Sequence, residues 1–196
     1  MAEVSEEIRK NIEAVCRKAK EHASAVAFAS EADMNAMLRA AADALRAKAA
    51  YIIAENAEDV KNCTRGAQFA DRLMLNEKRI DGIAAGLEKL VELKCPVGEV
   101  LEERTLYNGL QLSRVRVPLG VIGIIYESRP NVTADAIGLC VKSGNAVVLR
   151  GSKDALRSNK AICAVVKGAI AEAGYDPEFI QLIEDGSREG ATALMQ

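Results

Sequence analysis

The first half of the chain repeats apolar residues at steps of three and four, which is typical of amphipathic helices. Ser30 and Asp33 form the pattern of a helix start, since the serine can cap free amide groups and the aspartate is favoured in the first turn. A second helix is predicted over about residues 76–92. We expect both to serve packing rather than chemistry. The apolar positions that follow Ser30 are Met34, Met37, Leu38, Ala41, Leu45, Ala49 and Ile52.

Near Val97 the pattern changes to the alternation typical of strands. Residues 99–105 and 110–117 are predicted strands, and Tyr107-Asn108-Gly109 lies between them. Asn-Gly between two such runs is a strong hairpin signal. Because an isolated hairpin is poorly stable, we expect this one to join a larger sheet, in this chain or in a neighbouring one. That expectation favours homo-oligomer contacts through residues 99–117.

The last third alternates strands and helices, which predicts a parallel sheet with right-handed crossovers. Its strands are continuously apolar, as expected where both faces of a sheet are covered. The predicted fold class is α/β with a helical N-terminal layer. The predicted strands are residues 121–125, 146–149 and 179–183, and the predicted helices are about 130–143, 158–173 and a segment that begins at Ser187.

Composition narrows the class of protein. The chain has 196 residues, 49% of them hydrophobic, and a net charge of -2, so disorder and bulk nucleic-acid binding are not expected. No apolar run is long enough to span a membrane, and the acidic first ten residues lack the apolar core of a secretory signal. Five cysteines without a CxxC pair favour reduced thiols and a cytoplasmic location, and a single histidine argues against a metal site.

Ligands of open parallel sheets bind beyond the carboxyl ends of the strands, where this chain has three polar loops. The first, residues 126–131, leads into a helix start that attracts anions, and Arg129 adds a bidentate cation. Ser128, Arg129 and Asn131 are therefore candidate substrate or oxyanion residues. The alternative is that Arg129 pairs with Glu127 or another acid while Asn131 only caps the helix.

The second loop, Arg150-Gly151-Ser152-Lys153, places two cations and a hydroxyl around a glycine that permits close backbone approach. Such a cluster suits a nucleotide with a 2′-phosphate. The alternative is a solvated basic helix start, because Lys153, Arg157 and Lys160 would share one helical face.

The third loop, residues 184–188, gives a weaker signal. Asp185 and Ser187 are its candidate cofactor contacts. The alternative is that Gly186 shapes the turn while Ser187 caps the following helix.

Several common catalytic patterns are missing. The sequence has no G-x-G-x-x-G, no P-loop and no serine, histidine and aspartate set around His22. Cys140 and Cys163 occupy apolar helix positions, so we expect them to be core atoms rather than nucleophiles.

Two strings carry a resemblance to a known family. VRVPLGVIGIIYESRPNVT (residues 115–133) and KSGNAVVLRGSK (residues 142–153) resemble the gamma-glutamyl phosphate reductases, also called glutamate-5-semialdehyde dehydrogenases, a branch of the aldehyde dehydrogenase superfamily. A weaker similarity covers the whole chain, including FADRLMLNEKRIDGIA (residues 69–84).

The resemblance implies NADPH-dependent reduction of gamma-glutamyl phosphate to glutamate-5-semialdehyde with release of phosphate, in proline biosynthesis. In the family a cysteine thiolate attacks the acyl phosphate, and the thioester accepts hydride from the nicotinamide. Arg150, Ser152 and Lys153 fall where relatives in the superfamily have Lys-Pro-Ser-Glu; Lys153 in place of that glutamate favours a 2′-phosphate. Ser128 replaces an oxyanion-stabilising asparagine, which leaves Asn131 as a candidate for that role.

The resemblance also implies a division of the chain. Residues 1–96 would be the helical part of a Rossmann-like, aldehyde dehydrogenase-like cofactor domain, residues 97–117 an oligomerisation hairpin, and residues 118–196 the cofactor-binding part. Because family members continue past Gln196, the catalytic cysteine is expected beyond it and the isolated chain is expected to be inactive, with an unpaired sheet edge. The rival hypothesis is a non-catalytic interaction module that binds no nucleotide; origin in a bifunctional kinase–reductase stays open.

Overall fold

A layer of helices forms the first half of the molecule. The computed structural model describes residues 4–196, so residues 1–3 of the predicted helical part lie outside it. Helix α3 (Glu31–Ala47) begins with a capping box, in which Ser30 Oγ accepts from the Asp33 amide at 3.1 Å and the Ser30 amide donates to the Asp33 carboxylate. The predicted start is thus confirmed. The helices are α1 (Glu6–Glu21), α2 (Ala23–Ala27), α3 (Glu31–Ala47), α4 (Ala49–Lys61), α5 (Ala67–Leu73) and α6 (Glu77–Glu92).

The apolar face predicted after Ser30 belongs to two helices rather than one. Lys48 leaves helical geometry (φ −103°, ψ 17°) between α3 and α4. Met34 and Leu45 are buried on the first helix and Ile52 on the second, so the apolar spacing continues across the break. Side-chain periodicity records which face is buried, and it carries no signal for a one-residue interruption of the backbone.

A β-hairpin follows, formed by β1 (Val100–Thr105) and β2 (Gln111–Val115), which pair antiparallel. Gly109 at the predicted turn has φ +84°, a left-handed conformation that favours glycine. Every residue of both strands is exposed. Within residues 4–196 no third strand pairs with this hairpin.

The α/β part contains a parallel sheet in the order β3-β4-β5, which confirms the predicted fold class. Its register pairs Ile125 of β3 with Arg150 of β4, and Leu149 of β4 with Leu182 of β5. A single turn of 3-10 helix (Lys153–Ala155) precedes α8. The elements are β3 (Val121–Ile125), α7 (Asn131–Lys142), β4 (Ala146–Arg150), α8 (Leu156–Glu172), β5 (Ile180–Leu182) and α9 (Arg188–Leu194).

The expectation that each strand is covered on both faces is correct for β4 and wrong for β3. Every residue of β4 is buried, because it lies between two strands and under helices. In β3, Val121, Gly123 and Ile125 are exposed; alternate residues of a strand point to the same face, so the described elements leave one face of β3 largely uncovered. Apolar composition alone does not show whether both faces of a strand are covered.

The hydrophobic core joins the helical layer to the sheet. Met34 and Leu38 of α3, Ile137 of α7, Ile162 of α8 and Phe179 beside β5 are each at most 2% exposed and belong to one contact cluster. The helical layer therefore packs on the helices that flank the sheet, which holds the carboxyl ends of the strands in a fixed position. Among the described helices, none has the length and apolar character needed to cross a membrane.

Candidate functional site

The three predicted loops (residues 126–131, 150–154 and 184–188) lie at the carboxyl ends of β3, β4 and β5; we call this region the carboxyl edge. The parallel ladder continues to its end, where the Tyr126 amide donates to the Arg150 carbonyl at 3.1 Å. The first and second loops therefore leave the sheet side by side. This is the position where open α/β sheets bind ligands.

Arg150 is a buried cation without an anionic partner. The residue is 9% exposed, its Nη2 donates to the Ser187 carbonyl, and its Nε is buried without a hydrogen-bond partner. Among the described residues, no carboxylate lies within 4.0 Å of its guanidinium nitrogens. A buried charge normally has a counter-ion, so this position is suited to an anionic group brought by a ligand.

A cavity of about 310 Å³ opens beside Arg150 and contains part of the predicted site. Asp154 connects three of the lining side chains. Its Oδ2 accepts from Ser152 Oγ at 3.1 Å, from Ser128 Oγ at 3.4 Å and from Arg65 Nη1 at 3.2 Å. Serine hydroxyls from two predicted loops thus converge on one carboxylate. The residues that line the cavity are Arg65, Phe69, Ile125, Tyr126, Glu127, Ser128, Arg150 and Ser152.

Sequence reasoning missed Arg65 and Asp154. Arg65 lies in the connection between α4 and α5, where its guanidinium sits 4.0 Å from the centre of the Phe69 ring while it pairs with Asp154. Nothing in the local sequence places residue 65 near residue 154. Asp154 carries a weak signal, since Ser152 two residues earlier caps its amide at 3.2 Å.

Gly151 is required by packing inside the protein. A Cβ at this position would lie 2.2 Å from Asn159 Nδ2 and 3.1 Å from the Tyr126 ring. The close approach predicted for this glycine is therefore made, at least in part, by α8 and Tyr126. Burial raises the pKa of Tyr126 to about 12, so its hydroxyl stays protonated and hydrogen-bonds to Thr133 Oγ1 at 2.8 Å.

The three cations of the proposed basic face differ in their contacts. Arg157 Nε pairs with Glu55 at 3.0 Å and Lys160 Nζ with Glu184 at 2.7 Å. Lys153 is exposed, and no carboxylate of residues 4–196 pairs with it. Lys153 is therefore the cation of this set whose charge remains available.

The third loop packs against the second. A Cβ on Gly186 would lie 2.9 Å from the Lys153 Cα, so the two loops touch through their backbones. Asp185 Oδ1 accepts from the Ser187 amide at 2.7 Å, and Ser187 Oγ accepts from the Gly190 amide at 3.0 Å to cap α9. Asp185 lines a different cavity, against α1. The side chains of Asp185 and Ser187 thus have local partners, and the Ser187 carbonyl is what reaches Arg150.

The candidate substrate residues divide between two cavities. Ser128 is 5% exposed and lines the cavity beside Arg150. Arg129 and Asn131 line a second cavity of about 400 Å³ with Asp135. Arg129 does not form the alternative ion pair with Glu127: only its backbone amide donates to the Glu127 carbonyl, at 2.8 Å. Asn131 Nδ2 donates to Asp135 at 3.0 Å.

The buried thiols are unsuited to nucleophilic catalysis. Desolvation raises the pKa of both Cys140 and Cys163 to about 11, so each stays a neutral thiol near pH 7. Both pack within the hydrophobic core, as the sequence predicted. In the described part of the chain, no cluster of three or more histidine, cysteine or carboxylate side chains could hold a metal ion.

Comparison with known proteins decides the family. The model of the aldehyde dehydrogenase family matches residues 1–196. The chain belongs to the aldehyde dehydrogenase family. Membership implies a nicotinamide cofactor, and the carboxyl edge fits one, because Arg150 has a buried charge without a counter-ion. Arg150, Ser152 and Lys153 are the residues that could hold its phosphates.

Within this aldehyde dehydrogenase family, similarity is high to proteins named gamma-glutamyl phosphate reductase. The protein of that name from Bacillus mycoides is 46% identical over 181 residues, and the one from Heliobacterium modesticaldum is 50% identical over 182 residues. Each alignment covers 91% of this chain and 44% of the relative. The resemblance inferred from the two sequence strings is confirmed. The chain spans less than half the length of these curated relatives.

Solved structures of proteins named gamma-glutamyl phosphate reductase superimpose on this chain. The gamma-glutamyl phosphate reductase of Thermotoga maritima superimposes with a TM-score of 0.91 at 37% identity, over 94% of this chain and 45% of that one. The corresponding structure from Saccharomyces cerevisiae gives a TM-score of 0.82 at 29% identity, over 94% of this chain and 48% of that one. The Rossmann-like arrangement with its protruding hairpin is therefore the fold of these enzymes.

Proposed function

We propose that this chain forms the cofactor-binding side of an enzyme that reduces gamma-glutamyl phosphate to glutamate-5-semialdehyde and phosphate with NADPH. The observation that carries the proposal is the identity of 46% and 50% to proteins named gamma-glutamyl phosphate reductase, over 91% of the chain. Arg150 and Lys153 support it independently, because neither pairs with a carboxylate of the described residues and both can bind the phosphates of a cofactor.

In this proposal Arg150, Ser152 and Lys153 bind the adenosine phosphates. Arg150 contributes a buried positive charge, and Ser152 a hydroxyl on the cavity wall. Lys153 contributes an exposed ammonium that can contact a 2′-phosphate, which is why we assign NADPH rather than NADH. Gly151, Asp185 and Ser187 set the shape of the two loops. The cofactor supplies the hydride.

The start of α7 serves the substrate. Ser128, Arg129 and Asn131 surround the first turn of this helix, whose free amides and partial positive charge favour an acyl phosphate or a developing oxyanion. Arg129 has no side-chain ion pair with any described residue, so it can hold an anionic group. We assign no nucleophile to Cys140 or Cys163, because both thiols are buried and neutral.

Titration of the chain with NADPH and NADH, followed by nicotinamide fluorescence, tests the cofactor assignment. We expect tighter binding of NADPH, and we expect Lys153→Glu to lower the NADPH-to-NADH affinity ratio by about tenfold or more. The reason is that a cation–phosphate contact of roughly 1.5–3 kcal/mol is replaced by repulsion.

The matched control is Lys89→Glu, an identical charge change at an exposed position of α6 remote from the carboxyl edge. Its affinity ratio should equal that of the wild-type chain. An unchanged ratio in Lys153→Glu would refute the role of Lys153, and no saturable binding of either nucleotide would favour the rival hypothesis of a non-catalytic interaction module.

The hairpin supports a further proposal, that the chain associates with a second copy through residues 97–117. Its strands expose Val100, Leu101, Leu112 and Val115, all more than 40% accessible, and both backbone edges lack a third strand in the described chain. Light scattering after size exclusion should show a dimer or larger species that becomes a monomer when Leu112 is replaced by arginine. A monomeric wild-type chain would refute the proposal.

A further inference from the structure

The second cavity, which Arg129 and Asn131 line, is separate from the one beside Arg150. It has a volume of about 400 Å³ and lies between the α5–α6 connection and the first turn of α7. Its floor includes Gly82 of α6, beside which no atom lies within 4 Å of where a Cβ would be. The cavity is therefore open to a ligand of small-molecule size.

Asp135 gives this cavity a negative charge that no described residue neutralises. Its Oδ2 accepts one hydrogen bond, from Asn131 Nδ2 at 3.0 Å, and no lysine, arginine or histidine of residues 4–196 pairs with it. Burial raises the pKa of this carboxyl above its ordinary value. An ammonium group arriving in the cavity would supply the missing counter-ion and favour the carboxylate.

Arginines give the same cavity positive charge. Arg79 is held in place, because its Nη1 donates to the Met74 carbonyl at 2.6 Å and its Nη2 to Asp71 Oδ1 at 3.1 Å. Arg72 and Arg129 are exposed and have no ion pair with a described residue. The lining thus offers an unpaired carboxylate together with unpaired guanidinium groups.

We propose that this cavity binds the α-amino-acid end of the substrate, with the ammonium on Asp135 and the α-carboxylate on Arg129. Opposite charges that line one cavity match a zwitterion and disfavour ligands that carry only one of the two charges. The inference rests on the proposed function, since gamma-glutamyl phosphate carries such a group. It assigns substrate specificity to the start of α7 and leaves the cofactor in the cavity beside Arg150.

The test measures binding of L-glutamate, glutarate and 4-aminobutyrate to the chain by NMR titration. Glutarate lacks the ammonium and 4-aminobutyrate lacks the α-carboxylate. We expect L-glutamate to bind with a Kd on the order of 1 mM and to shift the amides of Gly82 and Asn131. Each analogue should bind about tenfold more weakly, because one charge-assisted contact is lost.

Two variants test which side chain binds the ammonium and which binds the α-carboxylate. Asp135→Asn should weaken L-glutamate about tenfold and leave glutarate unchanged, whereas Arg129→Gln should weaken L-glutamate and glutarate alike. Asp43→Asn, at an exposed position of α3, is the matched control and should bind as the wild-type chain does. If Asp135→Asn fails to fold, the comparison of ligands on the wild-type chain decides.

Equal affinity for L-glutamate and glutarate, amide shifts confined to other regions, or no binding at about 10 mM would each overturn the inference. NADPH titration of the same samples separates it from the proposed function. Selectivity for L-glutamate without NADPH binding would refute the cofactor assignment alone, and NADPH binding without that selectivity would refute the amino-acid subsite alone.

Discussion

The buried cations at the two ends of the parallel sheet differ in their hydrogen-bond and ion-pair partners. At the amino end, the side chain of Lys142 is 5% exposed, and its Nζ donates to Glu31 at 3.2 Å and to Asn35 Oδ1 at 2.8 Å. At the carboxyl end, Arg150 is almost as buried, yet it contacts a carbonyl and no carboxylate of the described residues. Within residues 4–196, one of these buried cations has a carboxylate partner and the other has none.

Glu178, just before β5, is a second charged residue near the amino end of the sheet that has ion-pair partners within the chain. It pairs with Lys18 at 2.6 Å and Lys167 at 3.1 Å, and the hydrogen bond from Lys18 is the main cause that lowers its pKa to about 2. Charges at this end are compensated within the chain and contribute to stability. Uncompensated charge at the carboxyl end costs stability, which is the expected signature of a binding site.

Replacement of Arg150 tests the carboxyl end and has the largest expected effect. We expect Arg150→Met to raise the Kd for NADPH about tenfold or more, because a charge-assisted contact is lost. The free energy of unfolding should stay unchanged or rise, since removal of a buried charge without a counter-ion offsets the lost hydrogen bond to the Ser187 carbonyl. Fluorescence titration and urea unfolding measure the two quantities; an unchanged Kd would remove Arg150 from the site.

Replacement of Lys142 is the matched experiment at the amino end, with a smaller expected effect on a different quantity. Lys142→Met keeps the volume of the buried stem but leaves Asn35 Oδ1 without its donor and Glu31 without its cation. We expect a loss of about 2 kcal/mol in the free energy of unfolding and no change in the Kd for NADPH. If both variants weakened NADPH binding equally, the contrast between the two ends would be wrong.

Local signals predicted the local features of this fold. The helix start at Ser30 and Asp33 and the turn at Gly109 each depend on a few neighbouring residues, so the sequence was enough to place them. The exposed face of β3 was not predictable in this way. Its exposure depends on which elements pack over that face, and this packing is decided by the tertiary structure.

The candidate site was predicted in outline only. Placing three polar loops at the ends of consecutive strands was enough to bring Arg150 and Ser187 together. No sequence pattern shows that Ser128 and Arg129, adjacent in the chain, line different cavities. Nor does any such pattern place Arg65 beside Asp154, since that ion pair joins positions 89 residues apart.

The amino-acid sequence by itself determined the fold class, the family and the segments that carry polar side chains, because these follow from periodicity, caps and short motifs. Tertiary structure decided which charges have partners. Arg157 and Lys160 are paired and Lys153 is not, although all three lie within eight residues. The physical reason is that a charge is neutralised by whatever lies near it in space, and for these residues the partners come from α4 and the loop after β5.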